Sequence, residues 1–391
     1  MEVFLLVLGL VLFIGLVIVH ELGHFWVARR NGVVPEEFGI FFPPTLWRKK
    51  MKGGWDFTIN ALPLGGFVKL RGEHDSDTKK GSFGAASDWA KAKIMLAGVA
   101  VNFVTALVLF TVLAWVGMPV IIPNQFTVAS DTKTAQNTLL AQYVEPGSPA
   151  EKAGINRGDT LLSIQSKSEQ KMYTITSKDT LSSLTQKLAG QTVLVTYEHA
   201  GKRVTAKTTL LTKDAVAASR KTAEPKGHLG VLPFPLQTQR STWSAPVVAV
   251  GLSAQITKLT LQGIGKALKG LVGTIAGGLT GNKEARQQAQ TEASSQVSGP
   301  LGIFFVLKGG ATIGVKFMLM IIAIISLTLA IMNVLPVPAL DGGRLYLMLL
   351  SRLTKEKRLS QKAEESIVGW SFVLLLVLIV LITFVDIKRF F

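Results

Sequence analysis

His20, Glu21 and His24 form an H-E-x-x-H arrangement close to the start of the chain. On an α-helix, positions i and i+4 share a face, so the two imidazoles can hold one Zn2+ between them. Glu21 then stands beside the metal, where its carboxylate can act as general base toward a water. The setting narrows this chemistry. Residues 3–19 carry no charged side chain, and Arg29 and Arg30 follow the motif. Ionisable groups inside an apolar span are costly and point to function. The pattern predicts hydrolysis within a bilayer.

Two imidazoles leave Zn2+ short of ligands, and a chain with no cysteine must complete the set with nitrogen or oxygen. His74, His199 and His228 lie in polar segments and are ordinary surface candidates. Asp341 is the better candidate, in the stretch Asn333-Val-Leu-Pro-Val-Pro-Ala-Leu-Asp-Gly-Gly that ends a late apolar run. Pro336 and Pro338 break the helix, and Gly342 and Gly343 allow a tight turn after the carboxylate. The competing reading makes Asp341 a cap on the following helix. The H-E-x-x-H motif favours the ligand.

These residues need elements to position them. A mean hydropathy of +0.38 and 48% hydrophobic residues indicate an integral membrane protein with a sizeable polar part. Four stretches are long and apolar enough to span, near 3–28, 94–118, 317–335 and 367–385. The first reads as a retained span, since Met1-Glu2 lacks the basic start of a signal peptide. The net charge of +17 has no nucleic-acid motif beside it, so lipid contact and topology explain it better. Basic residues between the first two spans and after the third put those loops in the cytoplasm. Both termini then lie outside, and the metal motif falls in the cytoplasmic half of the first span.

The long outer segment contains short β-rich runs at 192–197 and 203–210 around a helical stretch at 181–188, a small α+β module. Beyond it, Leu252, Ile256, Leu259, Ile264 and Leu268 recur at mostly helical steps, which predicts an amphipathic helix on the membrane surface or packed on the protein. Residues 282–296 read as a linker.

The H-E-x-x-H and Asn333…Asp341-Gly342 motifs resemble those of the site-2 protease family of intramembrane zinc metalloproteases, especially its bacterial anti-sigma-factor-cleaving branch. Gly39-Ile-Phe-Phe-Pro43, Ala61-Leu-Pro-Leu-Gly-Gly-Phe-Val-Lys69 and Ser298-Gly-Pro-Leu-Gly-Ile303 match in the family's order, so the resemblance touches nearly the whole chain. Tyr143–Ile164 resembles a bacterial PDZ domain, and there is room for one where the best-known members carry two. The family commonly has Gly-Phe-Gly-Pro where this chain reads Gly39-Ile-Phe-Phe-Pro-Pro44.

The resemblance implies Zn2+ on His20, His24 and Asp341, Glu21 as base, and Asn333 near the reacting carbonyl as an orienting or oxyanion-stabilising donor. Residues 55–70 read as two strands around Pro63–Gly66, and the resemblance makes them a membrane re-entrant β-loop beside the zinc. Gly65 and Gly66 would let an extended substrate approach its edge. The implied substrates are single-span membrane proteins already shortened by another protease, in a bacterial cytoplasmic membrane, with no nucleic-acid partner.

The expected fold class is a membrane α-helical protein of four transmembrane helices, with a re-entrant β-hairpin and one extracytoplasmic α+β PDZ domain. The expected segments are the first helix (1–30), the cytoplasmic β-loop (31–92), the second helix (93–118) and the PDZ domain (119–235). They continue with the amphipathic helix and linker (236–312), the third helix with its Asp motif (313–345), and a cytoplasmic loop with the fourth helix (346–391). The main rival is a non-catalytic membrane scaffold that binds peptides through its PDZ domain. A scaffold needs no general base beside a metal.

Overall fold

A computed structural model of the chain describes residues 2–73, 77–166, 170–199, 201–219, 226–280, 299–353 and 361–390. Residues 282–296, read as a linker, and His74 lie outside the described residues. The chain divides into two compact units. One is built mainly from residues 111–248. The other combines residues 6–110, 249–308 and 319–391, and it carries all the candidate site residues.

Among the described residues, five helices are long and apolar enough to cross a membrane: Glu2–Arg30, Asp88–Val116, Ala245–Gly270, Val315–Val334 and Lys362–Ile387. Four coincide with the expected spans. The additional one is the helix expected on the membrane surface or packed on the protein. Its apolar residues cover more than one face, since Leu252 and Ile256 are buried while Val250, Leu261 and Leu268, on the opposite side, are exposed. The chain is a multi-pass membrane protein.

The site-bearing unit opens with α1 (Glu2–Arg30), followed by β1 (Pro35–Lys50), β2 (Asp56–Leu70) and α2 (Asp88–Val116). The antiparallel hairpin of β1 and β2 turns at Met51–Trp55, where Gly53 and Gly54 take φ of +113° and +82°. This turn is additional to the reversal expected around Pro63–Gly66. Asp56–Ile59 run in the same direction as Glu37–Ile40 and Gly66–Leu70 run against them, so β2 reverses across Pro63–Gly66. The sheet also curls, so that Phe38 pairs with both Val68 and Phe57. A cluster of Ala28, Val33, Leu70, Ile94 and Met348 anchors its base.

In the other unit, β3 (Met118–Pro119), β4 (Lys133–Val144), β5 (Thr160–Ser166), β6 (Met172–Thr174), β7 (Thr192–His199), β8 (Lys202–Thr209) and β9 (Val231–Arg240) form one sheet. Its order is β3-β9-β4-β5-β7-β8, with β6 on β5. The short helices α3 (Pro149–Lys152), α4 (Lys178–Lys187) and α5 (Lys213–Ser219) accompany it. Leu139, Ile164, Leu188, Val195 and Tyr197 are central to its core. Strands and helix fall where the alternating and helical patterns predicted. At the far end, Asp131 accepts hydrogen bonds from the hydroxyls and main-chain N–H groups of Ser244 and Thr242. These hold its carboxyl below the usual carboxylate range and cap α6 (Ala245–Thr280).

The remaining helices are α7 (Pro300–Ile313), α8 (Val315–Val334), α9 (Asp341–Leu353) and α10 (Gln361–Phe390). The Ser298–Ile303 motif acquires a physical reason here. Asp386 of α10 is fully buried and accepts from Gly299 N–H at 2.9 Å and Gly302 N–H at 2.8 Å. It caps the first turn of α7 from another helix. Each buried donor left unpaired costs about 1–3 kcal/mol. Asp386→Leu should therefore lower the unfolding midpoint in detergent, and an unchanged midpoint would refute this capping role.

Candidate metal centre

Helical spacing puts His20 and His24 on one face of α1, and the break after α8 delivers Asp341 to them. α8 stops at Val334, the chain turns through Pro336 and Pro338, and Asp341 begins α9. The turn is possible because Gly342 and Gly343 lack side chains. A Cβ on either would stand 2.3 Å from the Val334 carbonyl oxygen or 2.0 Å from that of Val337. The expectation that these glycines permit the turn thus has a geometric basis in close approach.

His20 Nε2 lies 3.2 Å from His24 Nε2, and Asp341 Oδ2 lies 3.2 and 3.3 Å from the two nitrogens. Tetrahedral zinc with bonds of about 2.0 Å separates its ligand atoms by roughly 3.3 Å. The side chains of the histidines are only 11% and 12% exposed. Asp341 Oδ2 is buried and has no hydrogen-bond partner. Three electron-rich atoms facing one another, with the carboxylate oxygen lacking a donor, fit a cation. Two nitrogens and one oxygen also suit zinc with a fourth position left for water. Among the described residues, this is the one cluster of at least three such side chains that fits a metal. His199 pairs with Asp159 at 2.7 Å, and His228 Nδ1 lies 2.9 Å from the Leu211 carbonyl oxygen.

α2 supplies the back wall. A Cβ on Gly98 would stand 2.4 Å from His24 Nε2 and 2.5 Å from His20 Cε1. Gly23 of α1 is equally tight, its Cβ position lying 2.9 Å from Val101 and 3.0 Å from the Ala97 carbonyl oxygen. Small residues on both helices thus bring α1 and α2 together. His24 Nδ1 is 2.7 Å from the Ile94 carbonyl oxygen, which orients the ring and leaves Nε2 free to coordinate. Gly98, Ile94 and Asn102 were missed in the sequence. The one local signal was Asn102, a polar residue inside an apolar span.

The curled sheet meets α1 at Glu21. A Cβ on Gly66 would stand 3.1 Å from Glu21 Cγ, whereas one on Gly65 would face Phe42 at 3.3 Å. An apolar cavity of about 200 Å3 opens here, lined by Phe13, Ile14, Phe41, Gly66, Phe304 and others. Glu21 is its one ionisable lining residue. Gly66→Val should slow peptide cleavage while leaving zinc content unchanged, because the added methyls displace Glu21 and spare the ligands. Equal loss of zinc would count against that separation.

Phe41 bears on the departure from Gly-Phe-Gly-Pro. It takes φ of +66°, a left-handed conformation natural to glycine and costly for phenylalanine by about 1–2 kcal/mol. Asn60 Nδ2 donates to the Phe41 carbonyl at 3.1 Å, helping to hold that backbone. Asn333 sits half-buried on the last turn of α8, its carbonyl oxygen 2.8 Å from the position of a Gly342 Cβ.

Comparison with known proteins agrees with this chemistry. The model of peptidase family M50 matches residues 8–378. A Clostridium perfringens protein provisionally named a zinc metalloprotease is 29% identical over 384 residues, covering 98% of each chain. A similarly named protein of Brucella suis is 27% identical, over 95% of this chain and 91% of its own length. The regulator of sigma-E protease RseP of Escherichia coli K12 is 24% identical over 96% of each. The chain belongs to peptidase family M50, the site-2 protease family, and it is a zinc metalloprotease.

Proposed function

We propose that this protein is an intramembrane endopeptidase that hydrolyses peptide bonds within the transmembrane segments of single-span membrane proteins. The observation that carries the reading is Glu21. It is a lone carboxylate in an apolar cavity, beside a His20–His24–Asp341 triangle, on a helix long and apolar enough to span. His20, His24 and Asp341 would hold Zn2+, which would supply a Lewis acid and lower the pKa of a water. Glu21 takes one proton from the attacking water as its oxygen bonds to the carbonyl carbon. It then gives that proton to the leaving nitrogen as the C–N bond breaks. Asn333 orients the reacting carbonyl or stabilises its developing negative charge.

A transmembrane helix hides its peptide bonds in its own hydrogen bonds, so the substrate must be extended before hydrolysis. The sheet edge around Gly65 and Gly66 holds it by strand addition as a membrane re-entrant loop. In the other unit, a groove of about 750 Å3 lined by Leu181, Val216, His228, Gly230 and Leu232 suits an extended peptide. This supports the reading of residues 119–235 as one extracytoplasmic PDZ domain. Four helices span a bacterial cytoplasmic membrane, with the active site toward the cytoplasm. Lys258, in the middle of Ala245–Gly270, favours a surface position for that helix.

The substrates implied by the family resemblance are single-span membrane proteins already shortened by another protease, and the name of the regulator of sigma-E protease RseP fits a regulatory role. The test is cleavage of single-span substrates in proteoliposomes, with the new termini mapped by mass spectrometry. Zinc-dependent cuts inside the transmembrane segment support the reading; chelator-resistant cuts, or cuts confined to soluble parts, would refute it.

A further inference from the structure

A zinc-binding histidine needs its second ring nitrogen held by an acceptor, which fixes both the tautomer and the ring's orientation. For His24 that acceptor is the Ile94 carbonyl, 2.7 Å from Nδ1. For His20 the neighbour of Nδ1 is Asn102, whose Nδ2 lies 3.2 Å away. Asn102 is 1% exposed, and its Oδ1 is buried without any hydrogen-bond partner. Its own main-chain carbonyl accepts from Ser326 Oγ at 2.8 Å, which ties α2 to α8 at this level.

An amide's nitrogen and oxygen are nearly alike in shape, and their placement follows from the surrounding hydrogen bonds. When His20 gives its Nε2 lone pair to a metal, its ring proton sits on Nδ1. That proton requires an acceptor, and an NH2 group cannot serve. Half a turn of the Asn102 amide brings its unpartnered oxygen to the donor.

We propose that Asn102 is a positioning residue for zinc, its Oδ1 accepting the Nδ1–H of His20. The inference rests on His20 being a metal ligand. Asn102 and Ile94 lie eight residues apart on α2, so one face of a single helix fixes both imidazoles.

Zinc dissociation constants of the full chain in detergent, measured by chelator competition, test this. Asn102→Leu keeps the volume and removes the acceptor, and it should weaken zinc binding about 10–100-fold. Asn102→Asp restores an acceptor and should bind within roughly threefold of the wild type. Wild-type affinity in Asn102→Leu, or equal losses in both variants, would overturn the proposal. Failure of the wild type to bind zinc, or undiminished binding by His20→Ala, would instead overturn the ligand assignment and this inference with it. A readout needing no variant is 15N-histidine NMR of the zinc-loaded wild type. A solvent-protected proton on His20 Nδ1 supports the role; a proton on Nε2, or a freely exchanging Nδ1–H, contradicts it.

Discussion

Replacing Glu21 by Gln should lower the cleavage rate by about 10²–10⁴-fold, the range that general acid–base catalysis contributes. Zinc content should stay at the wild-type level. The amide nearly matches the carboxylate in size, so neither the close contact with Gly66 nor the ligand triangle is disturbed. What is lost is a group that can accept a proton. The combination separates an enzyme from a scaffold, because a peptide-binding scaffold would be indifferent to this change. Such a variant should also retain its substrates, and the membrane proteins recovered with it can be identified. Cleavage at the wild-type rate would refute the role of Glu21.

The second large effect lies on a residue with no chemistry of its own. Gly98→Ala should remove zinc and activity together, with affinity falling by at least the 10–100-fold typical of disturbed metal surroundings. Its methyl would meet both imidazoles at 2.4–2.5 Å. Backing α2 away would instead open the close packing of Gly23 on Ala97 and Val101. The contrast with Glu21→Gln is the informative part, since one variant keeps the metal and the other loses it. Zinc analysis of purified protein reads this directly, and full occupancy in Gly98→Ala would refute the close packing of α1 on α2.

The proposed metal ligands, which the structure brings together, were legible through local rules. His20 and His24 follow from helical spacing, and Asp341 from the two prolines and two glycines around it. Gly98 and Asn102 depend on which face of α2 meets α1, a tertiary fact that no periodicity in α2 announces. The reversal around Pro63–Gly66 was legible from its turn residues, whereas the turn at Met51–Trp55 was not named. Gly53 and Gly54 hold the positive φ angles that close the latter turn. Pro63–Gly66 divides the two runs of β2, and Gly66 lies beside Glu21. The capping of α7 by Asp386 joins residues more than eighty positions apart and has no local signature.

All these roles depend on one ion bound jointly by residues from opposite ends of the chain. Anomalous diffraction at the zinc edge, from crystals of the Glu21→Gln protein loaded with one equivalent of zinc, addresses this most directly. The account predicts a single strong peak about 2.0 Å from His20 Nε2, His24 Nε2 and a carboxylate oxygen of Asp341. A peak elsewhere, or one that leaves Asp341 uncoordinated, would contradict it.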